Sequence, residues 1–484
     1  MKTDECITWF RRALPALAAV AIVPLSAVAD GEPKATEAAE KAPPAEVEKK
    51  DGWSFAAGAD LRVRQEIMDN IPGLPGGGLL SRAPYSKVRN HIRFRPDVWA
   101  ELKAGDDWRF FAKLTDEFRA NITPKNHSNT FPDELIVENL FFEGKNLFDG
   151  FLDIRAGRQN LYKLYGLDHI FVDGTPGDGS RTTYADMVNL ALHVDDVSEL
   201  DFFALYNADS NQLRWGTRRG RNKRLSGLGG GAEPEMDDWG WGAIWRSKIG
   251  TAFDYDIFAM QKNTASFHRG GVKHPRTQRN MFGFKTVPHI TDNFNLQFEG
   301  MGQLGRNGED DVLSGWSAYA GGEWRDMAKK EWQPFVRLGF HYMSGDKDAA
   351  EEDGGHRAWD PMWARGVNDS ELFLYGTHYG AAWWSNMLYL KATAGYEIGK
   401  YHDIVVSTGP MFASVQDDLG GGDGTFKGML SMIRYDFPIY LTDKVGPRGI
   451  QVFGHVLFEL FNPGDYFETD RPSWFFRWQL DVKF

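Results

Sequence analysis

The sequence is poor in cysteine, in long apolar runs and in basic residues. One cysteine, Cys6, occurs in 484 residues, which excludes a disulfide framework and a zinc site built from cysteines. No apolar run reaches about 18 residues, so no transmembrane helix is expected. Basic residues number 55 against 67 acidic ones, and this balance argues against a general nucleic-acid binder. Two classes of protein are still possible: a soluble β-rich protein, and a membrane β-barrel in which apolar residues alternate with polar ones instead of forming long runs.

The N-terminus has the pattern of a secretory signal peptide. Lys2, Arg11 and Arg12 form a basic segment, a short apolar stretch follows, and 27–29 (Ala-Val-Ala) is a cleavage site. We therefore predict a signal peptide over 1–29, removed together with Cys6. Residues 30–50 consist mostly of Ala, Glu, Lys and Pro and are predicted to be a disordered lead-in. The remainder, 51–484, is predicted to be one outer-membrane β-barrel domain.

Two-residue alternation of apolar and polar side chains runs from Trp53 to the C-terminus. The last segment, 473–484, sets apolar residues at even positions against a mostly polar face at odd positions. This is the period of a β-strand, and outward Trp residues are typical of the aromatic girdles of outer-membrane barrels. A terminal aromatic strand also resembles the signal that the outer-membrane barrel assembly machinery reads, so this machinery is an expected partner.

The same alternation predicts the fold class: all-β, a transmembrane antiparallel up-and-down β-barrel of about 18 strands forming a monomeric pore. The gaps between strands alternate between tight turns and long loops, so both termini are expected on the periplasmic side. Candidate strands lie near 53–67, 87–103, 107–120, 134–143, 150–158, 183–194, 199–208, 238–249, 252–262, 279–287, 293–304, 314–325, 331–343, 385–398, 403–414, 427–439, 449–461 and 473–484.

Charge sorted by strand face predicts a basic inner wall. Shifting the strand at 87–103 by one residue would expose several Arg or Lys to lipid at ~2–4 kcal/mol each near mid-bilayer, so the charged face must point inward. On the first three strands this face carries nine cations against four acids, Asp60, Glu66, Asp97 and Glu117. The nine cations are Arg62, Arg64, Lys87, Arg89, Arg93, Arg95, Arg109, Lys113 and Arg119. Further arginines expected to project inward are Arg155, Arg158, Arg181, Arg337, Arg434 and Arg477.

Other polar features have more than one reading. Inward carboxylates Glu117, Glu138, Glu299 and Glu459 are either partners of inward arginines or a glycosidase-type pair. The basic loop at 214–224 either contacts lipopolysaccharide phosphates or guides a polyanion to the pore mouth. No His-Glu-x-x-His or Gly-x-Ser-x-Gly motif is present, and the acidic loop at 344–384 fails the EF-hand spacing. We therefore predict no catalytic residue, no metal site and no cofactor.

A family resemblance rests on three segments. Residues 152–190 look like the "Gly-Arg-Gln … Arg-Thr-Phe-Asp" region of the alginate export family of outer-membrane porins, with Tyr184 in place of Phe and an additional Ala185 before Asp186. Residues 341–346 (His-Tyr-Met-Ser-Gly-Asp) and 359–366 (Trp-Asp-Pro-Met-Trp-Ala-Arg-Gly) look similar to it as well. The resemblance implies an eighteen-stranded barrel with an Arg-rich, narrow lumen that passes a linear polyuronate by diffusion.

The function expected from these features is passive, anion-selective passage of acidic oligo- or polysaccharide through the bacterial outer membrane. One alternative is a general or other solute-specific uptake porin. Another, of a different class, is a barrel-embedded hydrolase or a secreted glycan-binding β protein. The expected partners are the anionic polysaccharide, outer-membrane lipid and lipopolysaccharide, the barrel assembly machinery and a periplasmic scaffold protein, with no nucleic acid.

Overall fold

A computed structural model describes most of the barrel and parts of its loops. The described residues are 52–70, 88–123, 135–160, 184–207, 214–215, 237–269, 272–308, 311–328, 332–348, 357–360, 362–363, 370–372, 385–399, 401–417, 421–442, 449–468 and 470–484. The predicted signal peptide and lead-in, Lys87, Arg181 and most of the basic loop lie outside these residues. No helix in the described ranges is long and apolar enough to cross a membrane.

Eighteen wall strands occur in the described part of the chain. The first nine are β1 (Trp53–Asp69), β2 (Arg89–Ala104), β3 (Trp108–Thr115 continued by Phe118–Thr123), β4 (Leu135–Asn146), β5 (Leu152–Asn160), β6 (Tyr184–His193), β7 (Glu199–Asn207), β8 (Asp238–Ile249) and β9 (Phe253–Thr264). The others are β10 (Thr277–Thr291), β11 (Phe294–Asn307), β12 (Asp311–Arg325), β13 (Trp332–Met343), β14 (Met387–Ile398), β15 (His402–Phe412), β16 (Phe426–Thr442), β17 (Ile450–Pro463) and β18 (Ser473–Lys483).

Smaller elements lie between the wall strands. One helical turn, α1 (Leu147–Gly150), joins β4 to β5. A two-residue strand, Arg214–Trp215, pairs with the first residues of β4. A separate hairpin of Phe267–Arg269 and Val272–His274 follows β9.

The wall strands form one closed antiparallel sheet. Each strand pairs with the next along the chain, and β1 pairs with β18 from Asp60 opposite Lys483 to Asp69 opposite Trp474. Closure leaves no unpaired sheet edge, which is the condition for a β-structure to span a bilayer. The structure confirms the predicted fold class, and each predicted segment corresponds to one wall strand.

Connections alternate in length, which gives the barrel two distinct ends. At the end that we call the short-turn end, the links are brief, and Gly105 and Gly250 adopt left-handed backbone angles there (φ +64° and +58°). At the other end, called the long-loop end, most links are longer, and the one after β13 runs from 344 to 386. The first and last wall strands both have their outer chain ends at the short-turn end.

The outer face of the wall is apolar. Trp53, Phe282 and Trp316 are more than half exposed, and each belongs to the outward set of its strand. Such exposed aromatic side chains are stabilised by lipid rather than by water, and they form the band that outer-membrane barrels present to the bilayer. The barrel is therefore of the outer-membrane type, with its polar groups turned toward the lumen.

Candidate functional site

The inward faces of β1, β2 and β3 form a charged surface that we call the basic wall. Cross-strand register places Arg62 opposite Arg95 and Arg64 opposite Arg93, with Glu66 opposite His91. Lysine and arginine side chains stacked in neighbouring rows repel one another unless acids lie between them. On the basic wall, carboxylates lie between the guanidinium groups and offset this repulsion.

Glu66 is the centre of one ion-pair cluster. Its carboxylate is fully buried, and Arg64 Nε and Arg477 Nε lie 3.1 and 3.0 Å from Oε1. Its other oxygen is 2.9 Å from His91 Nε2 and 3.3 Å from Arg93 Nη1. One carboxylate therefore joins β1, β2 and β18 across the seam where the barrel closes.

Two further carboxylates organise the middle of the wall. Glu117 contacts Arg62 at 3.1 Å and accepts a hydrogen bond from Arg93 Nε at 2.8 Å. Glu138 lies at a bulge in β4, where the pairing with β3 shifts register, and the extra residue turns its side chain into the lumen. There it contacts Arg95 at 2.7 Å and Lys113 at 3.4 Å.

Near the short-turn end, arginines lie on aromatic rings. Arg109 and Arg155 both contact Glu143, and both guanidinium groups lie about 5 Å from the centre of the Phe141 ring. Trp99 stacks at 6.4 Å on Phe111, and both Trp99 and Phe141 are buried. These rings therefore hold the arginines in place by packing and cation–π attraction.

The basic wall keeps an excess of positive charge that the opposite wall lacks. The described parts of β1–β3 place nine cations inward against five carboxylates, because Lys103 and Glu101 join the set while Lys87 lies outside the described residues; Glu138 and Glu143 of β4 also contact this wall, which leaves nine cations against seven carboxylates. The wall of β7–β11 places five cations against six carboxylates inward. Those eleven are Arg246, Lys248, Lys262, Arg279, Lys285, Glu199, Asp201, Asp238, Asp254, Asp256 and Glu299.

The remaining sequence-predicted residues are dispersed around the barrel. Asp60 lies inward between Asp97 and Lys483, and register also places Arg89 and Arg119 inward. Arg337 contacts Glu323 at 2.8 Å, far round the ring from the basic wall. Arg434 lies 2.6 Å from Asp403. The structure therefore brings together the residues of β1–β5 and β18, and it leaves Arg337 and Arg434 apart from them.

The predicted inward position of Arg158 is wrong. Register places it opposite Leu140 and Asp186, on the outward set of β5. There its guanidinium makes two parallel bonds to Asp186, at 2.8 and 2.9 Å. The physical reason is the strand period: Arg155 and Arg158 are three residues apart, so a regular strand must place them on opposite faces.

An apolar belt lines the long-loop half of the lumen. Its members are inward-facing side chains on twelve of the wall strands, and all are buried. They are Met68, Met187, Phe203, Met260, Met281, Met301, Met343, Met387, Met411, Leu430, Phe461 and Phe475. Methionine is unbranched and polarisable, so it fills irregular space beneath a docked segment well.

The segment docked on this belt comes from the link between β13 and β14. We call its described residues, 357–360, 362–363 and 370–372, the lumen strap. Trp363 is fully buried, makes an edge-to-face contact with Phe203 at 6.2 Å, and occupies the space above Gly240 that any side chain would fill. Lys262 Nζ donates to the Met362 carbonyl at 3.0 Å, and Arg279 lies 3.0 Å from Asp360.

A second anchor holds the strap on β17 and β18. Glu459 is fully buried and accepts hydrogen bonds from the Ser370 hydroxyl at 2.5 Å, the Glu371 N–H at 2.8 Å and the Leu372 N–H at 3.1 Å. Arg477 Nη1 lies 2.6 Å from the Glu371 carboxylate. Burial alone would raise the pKa of Glu371, but the attraction and hydrogen bond of Arg477 outweigh it and lower that pKa below its ordinary value.

The two anchors lie on opposite sides of the barrel. Trp363 contacts β7–β9 and Ser370 contacts β17, and β8 and β17 are nine positions apart in a ring of eighteen strands. The described residues of the strap therefore contact both of these walls from the lumen side. Sequence reasoning noticed 359–366 only as part of a family-like segment, and it considered Glu459 as a partner for arginine or a member of a glycosidase-type pair rather than as an acceptor for backbone N–H groups.

The barrel, its lumen and its strap can be compared with known proteins. No family model and no curated protein matches the chain. Among solved structures, Acinetobacter baumannii OccAB1 matches with a TM-score of 0.50 at 9% identity, covering 89% of this chain and 96% of that one. The fold is that of an outer-membrane porin. Pseudomonas aeruginosa OpdQ matches with a TM-score of 0.47 at 12% identity, over 89% of this chain and 97% of that one.

The comparisons support the outer-membrane porin fold that the sequence suggested, but not the particular family. The matched structures are Occ/Opd outer-membrane porins, and none of these matches is specific to the alginate export family. At such low identity the likeness shows the fold and not the cargo. Cargo therefore has to be argued from the lumen itself.

Proposed function

We propose that this chain is a passive outer-membrane channel for carboxylate-bearing solutes, with acidic oligo- or polysaccharide as its cargo. The observation that carries the proposal is the basic wall, which has Arg93 toward the long-loop end and Arg109 near the short-turn end. Arg477 of β18 and Arg155 of β5 extend its row of arginines on either side. Arginine donates two parallel hydrogen bonds to a carboxylate, and rows of arginine and lysine select anions in pores. The resemblance to the alginate export family supports a polyuronate as the first cargo to test.

Interleaved carboxylates suit this role. Glu66, Glu117 and Glu138 hold the guanidinium groups in fixed positions while leaving the wall with an excess of cations. A cargo carboxylate then exchanges between adjacent arginines instead of binding tightly to one of them. Conduction requires such weak, repeated sites.

Flux through proteoliposomes tests the cargo. We expect oligouronates to enter faster than neutral oligosaccharides of equal length, and Arg109→Gln with Lys113→Gln to reduce this preference. Glu199→Gln on the opposite wall is the control and should leave the preference unchanged. Equal entry of charged and neutral oligomers would contradict the proposal.

A solute-specific uptake porin for small carboxylates is the second candidate, and the strap favours it. The described strap residues occupy lumen space against two opposite walls, which disfavours wide or branched cargo. Entry rates across a series of oligouronate lengths distinguish the two: a sharp loss beyond one or two sugars indicates small-solute uptake, whereas entry of long linear chains indicates a polysaccharide channel.

A further inference from the structure

Among the described residues, the outer surface carries a polar patch at the long-loop end that the channel does not use. It lies on β9, β10 and β11, where the outward positions change from apolar to polar at the same level on adjacent strands. Ala259 pairs with Phe282, and the next outward pair toward the long-loop end is Gln261 with Asn280. The following row runs Trp239, Asn263, Gln278 and Arg306 across four strands.

Two exposed arginines lie in this patch. The Arg306 side chain belongs to the outward set of β11, and Arg276 immediately precedes β10. The Gly308 N–H donates to the Arg276 carbonyl at 2.8 Å, which makes Arg276 and Arg306 diagonal neighbours on adjacent strands. Such neighbours are ~7–8 Å apart at their backbones, and the Arg276 side chain extends over β9 toward β8 while Arg306 lies on β11, so the two cations flank the row of amides from its two sides.

The patch is built rather than accidental. The Arg276 guanidinium lies 5.1 Å from the centre of the Trp239 ring and donates to Asn263 Oδ1 at 3.2 Å. Gln261 donates to Asn280 Oδ1 at 2.9 Å, so the amides are held in a connected row. Arg158, the outward arginine of β5, is instead held in two parallel bonds by Asp186.

The depth of the patch in the membrane indicates which kind of molecule binds there. Phe282 is more than half exposed in the row just below the Gln261–Asn280 pair, and Leu304, which pairs with Asn280, is equally exposed at the border of the apolar band that meets lipid tails. A cation at mid-bilayer would cost ~2–4 kcal/mol, whereas at the interface the cost is close to zero, so the arginines lie in the headgroup layer. Two guanidinium groups beside a row of amides match a headgroup that carries phosphate and sugar hydroxyls.

We propose that Arg276, Arg306 and the amides of Asn263, Gln278 and Asn280 bind the phosphorylated sugar headgroup of an outer-leaflet lipid. This site fixes the barrel in the leaflet facing the long loops. The site is separate from the lumen, so a test of this proposal does not depend on which cargo the channel passes.

Native mass spectrometry of the full-length protein in detergent tests the site. The probes are bis-phosphorylated lipid A, its dephosphorylated form and inorganic phosphate. We expect one lipid A to bind, Arg276→Ala with Arg306→Ala to weaken it about tenfold, and the two lysine replacements to weaken it less because charge is kept without the planar fork.

Lys145→Ala with Lys347→Ala is the charge-matched control, because both lysines are exposed and lie outside the patch. This pair should bind lipid A as the wild type does. Equal binding by the arginine double variant, or equal binding of dephosphorylated lipid A, would overturn the proposal. Displacement of the lipid by millimolar inorganic phosphate would also overturn it, by showing a general anion site.

Discussion

Releasing the strap at Glu459 should widen the lumen. Glu459→Ala removes the acceptor of three hydrogen bonds and leaves the Glu371 and Leu372 N–H groups without it inside the barrel. Bonds to a charged group contribute ~1.5–3 kcal/mol each, and they are not additive within one cluster. If a conservative 3 kcal/mol of anchoring is lost, the detached population rises by about two orders of magnitude.

Single-channel recording in planar bilayers measures this effect. We expect Glu459→Ala to show a higher mean conductance and larger current fluctuations than the wild type, with Glu459→Gln between the two because its amide oxygen still accepts. Glu323→Ala is the matched control: it removes a lumen carboxylate whose ion pairs among the described residues are with Arg337 and Arg325 rather than with the strap. Unchanged conductance in a Glu459→Ala barrel that still shows heat-dependent mobility on gels would refute the anchoring role.

Three further predictions follow from the same contacts. Trp363→Ala should empty a buried site, lower strap anchoring by ~3–5 kcal/mol and raise conductance in the same recordings, whereas unchanged conductance would contradict the docking described here. Glu66→Gln should leave several arginines without their shared counter-charge and reduce barrel stability by ~3–5 kcal/mol in urea-induced unfolding, and an equal midpoint would contradict its central position. Because the pKa of Glu371 is lowered, its ion pair with Arg477 is intact above its ordinary pKa and is lost as pH falls through the lowered value, so current fluctuations should increase only at acid pH and less so in Glu371→Gln.

Strand positions were predictable because each depends on local alternation. The segment at 473–484 displays its outward Trp474, Trp478 and Phe484 in the sequence itself, and β18 has that register. Which charged side chains face the lumen was largely predictable for the same reason. The net charge of the basic wall was harder to predict: Glu138 was expected to face inward, but the bulge in β4 that places it beside Arg95 was not, and Glu143, which contacts Arg109, was missed.

The strap was not predictable from pattern. Trp359, Met362 and Trp363 were noticed as part of a family-like segment, but nothing local shows that they pack on Phe203 or lie beside Gly240, more than a hundred residues away. Loop docking is decided by the shape of the receiving surface. Glu459 illustrates this: its backbone N–H partners, Glu371 and Leu372, belong to the link between β13 and β14, far from Glu459 in the sequence.

The ion selectivity of single channels tests the central proposal most directly. The reversal potential is measured with the purified protein in a planar bilayer under a KCl gradient. Because the basic wall carries an excess of cations, we expect chloride to permeate faster than potassium, and the sign of the reversal potential should show this anion selectivity. Neutralising Arg109 and Lys113 should move the potential toward zero. A wild-type reversal potential of the opposite sign, indicating cation selectivity, would contradict the proposal.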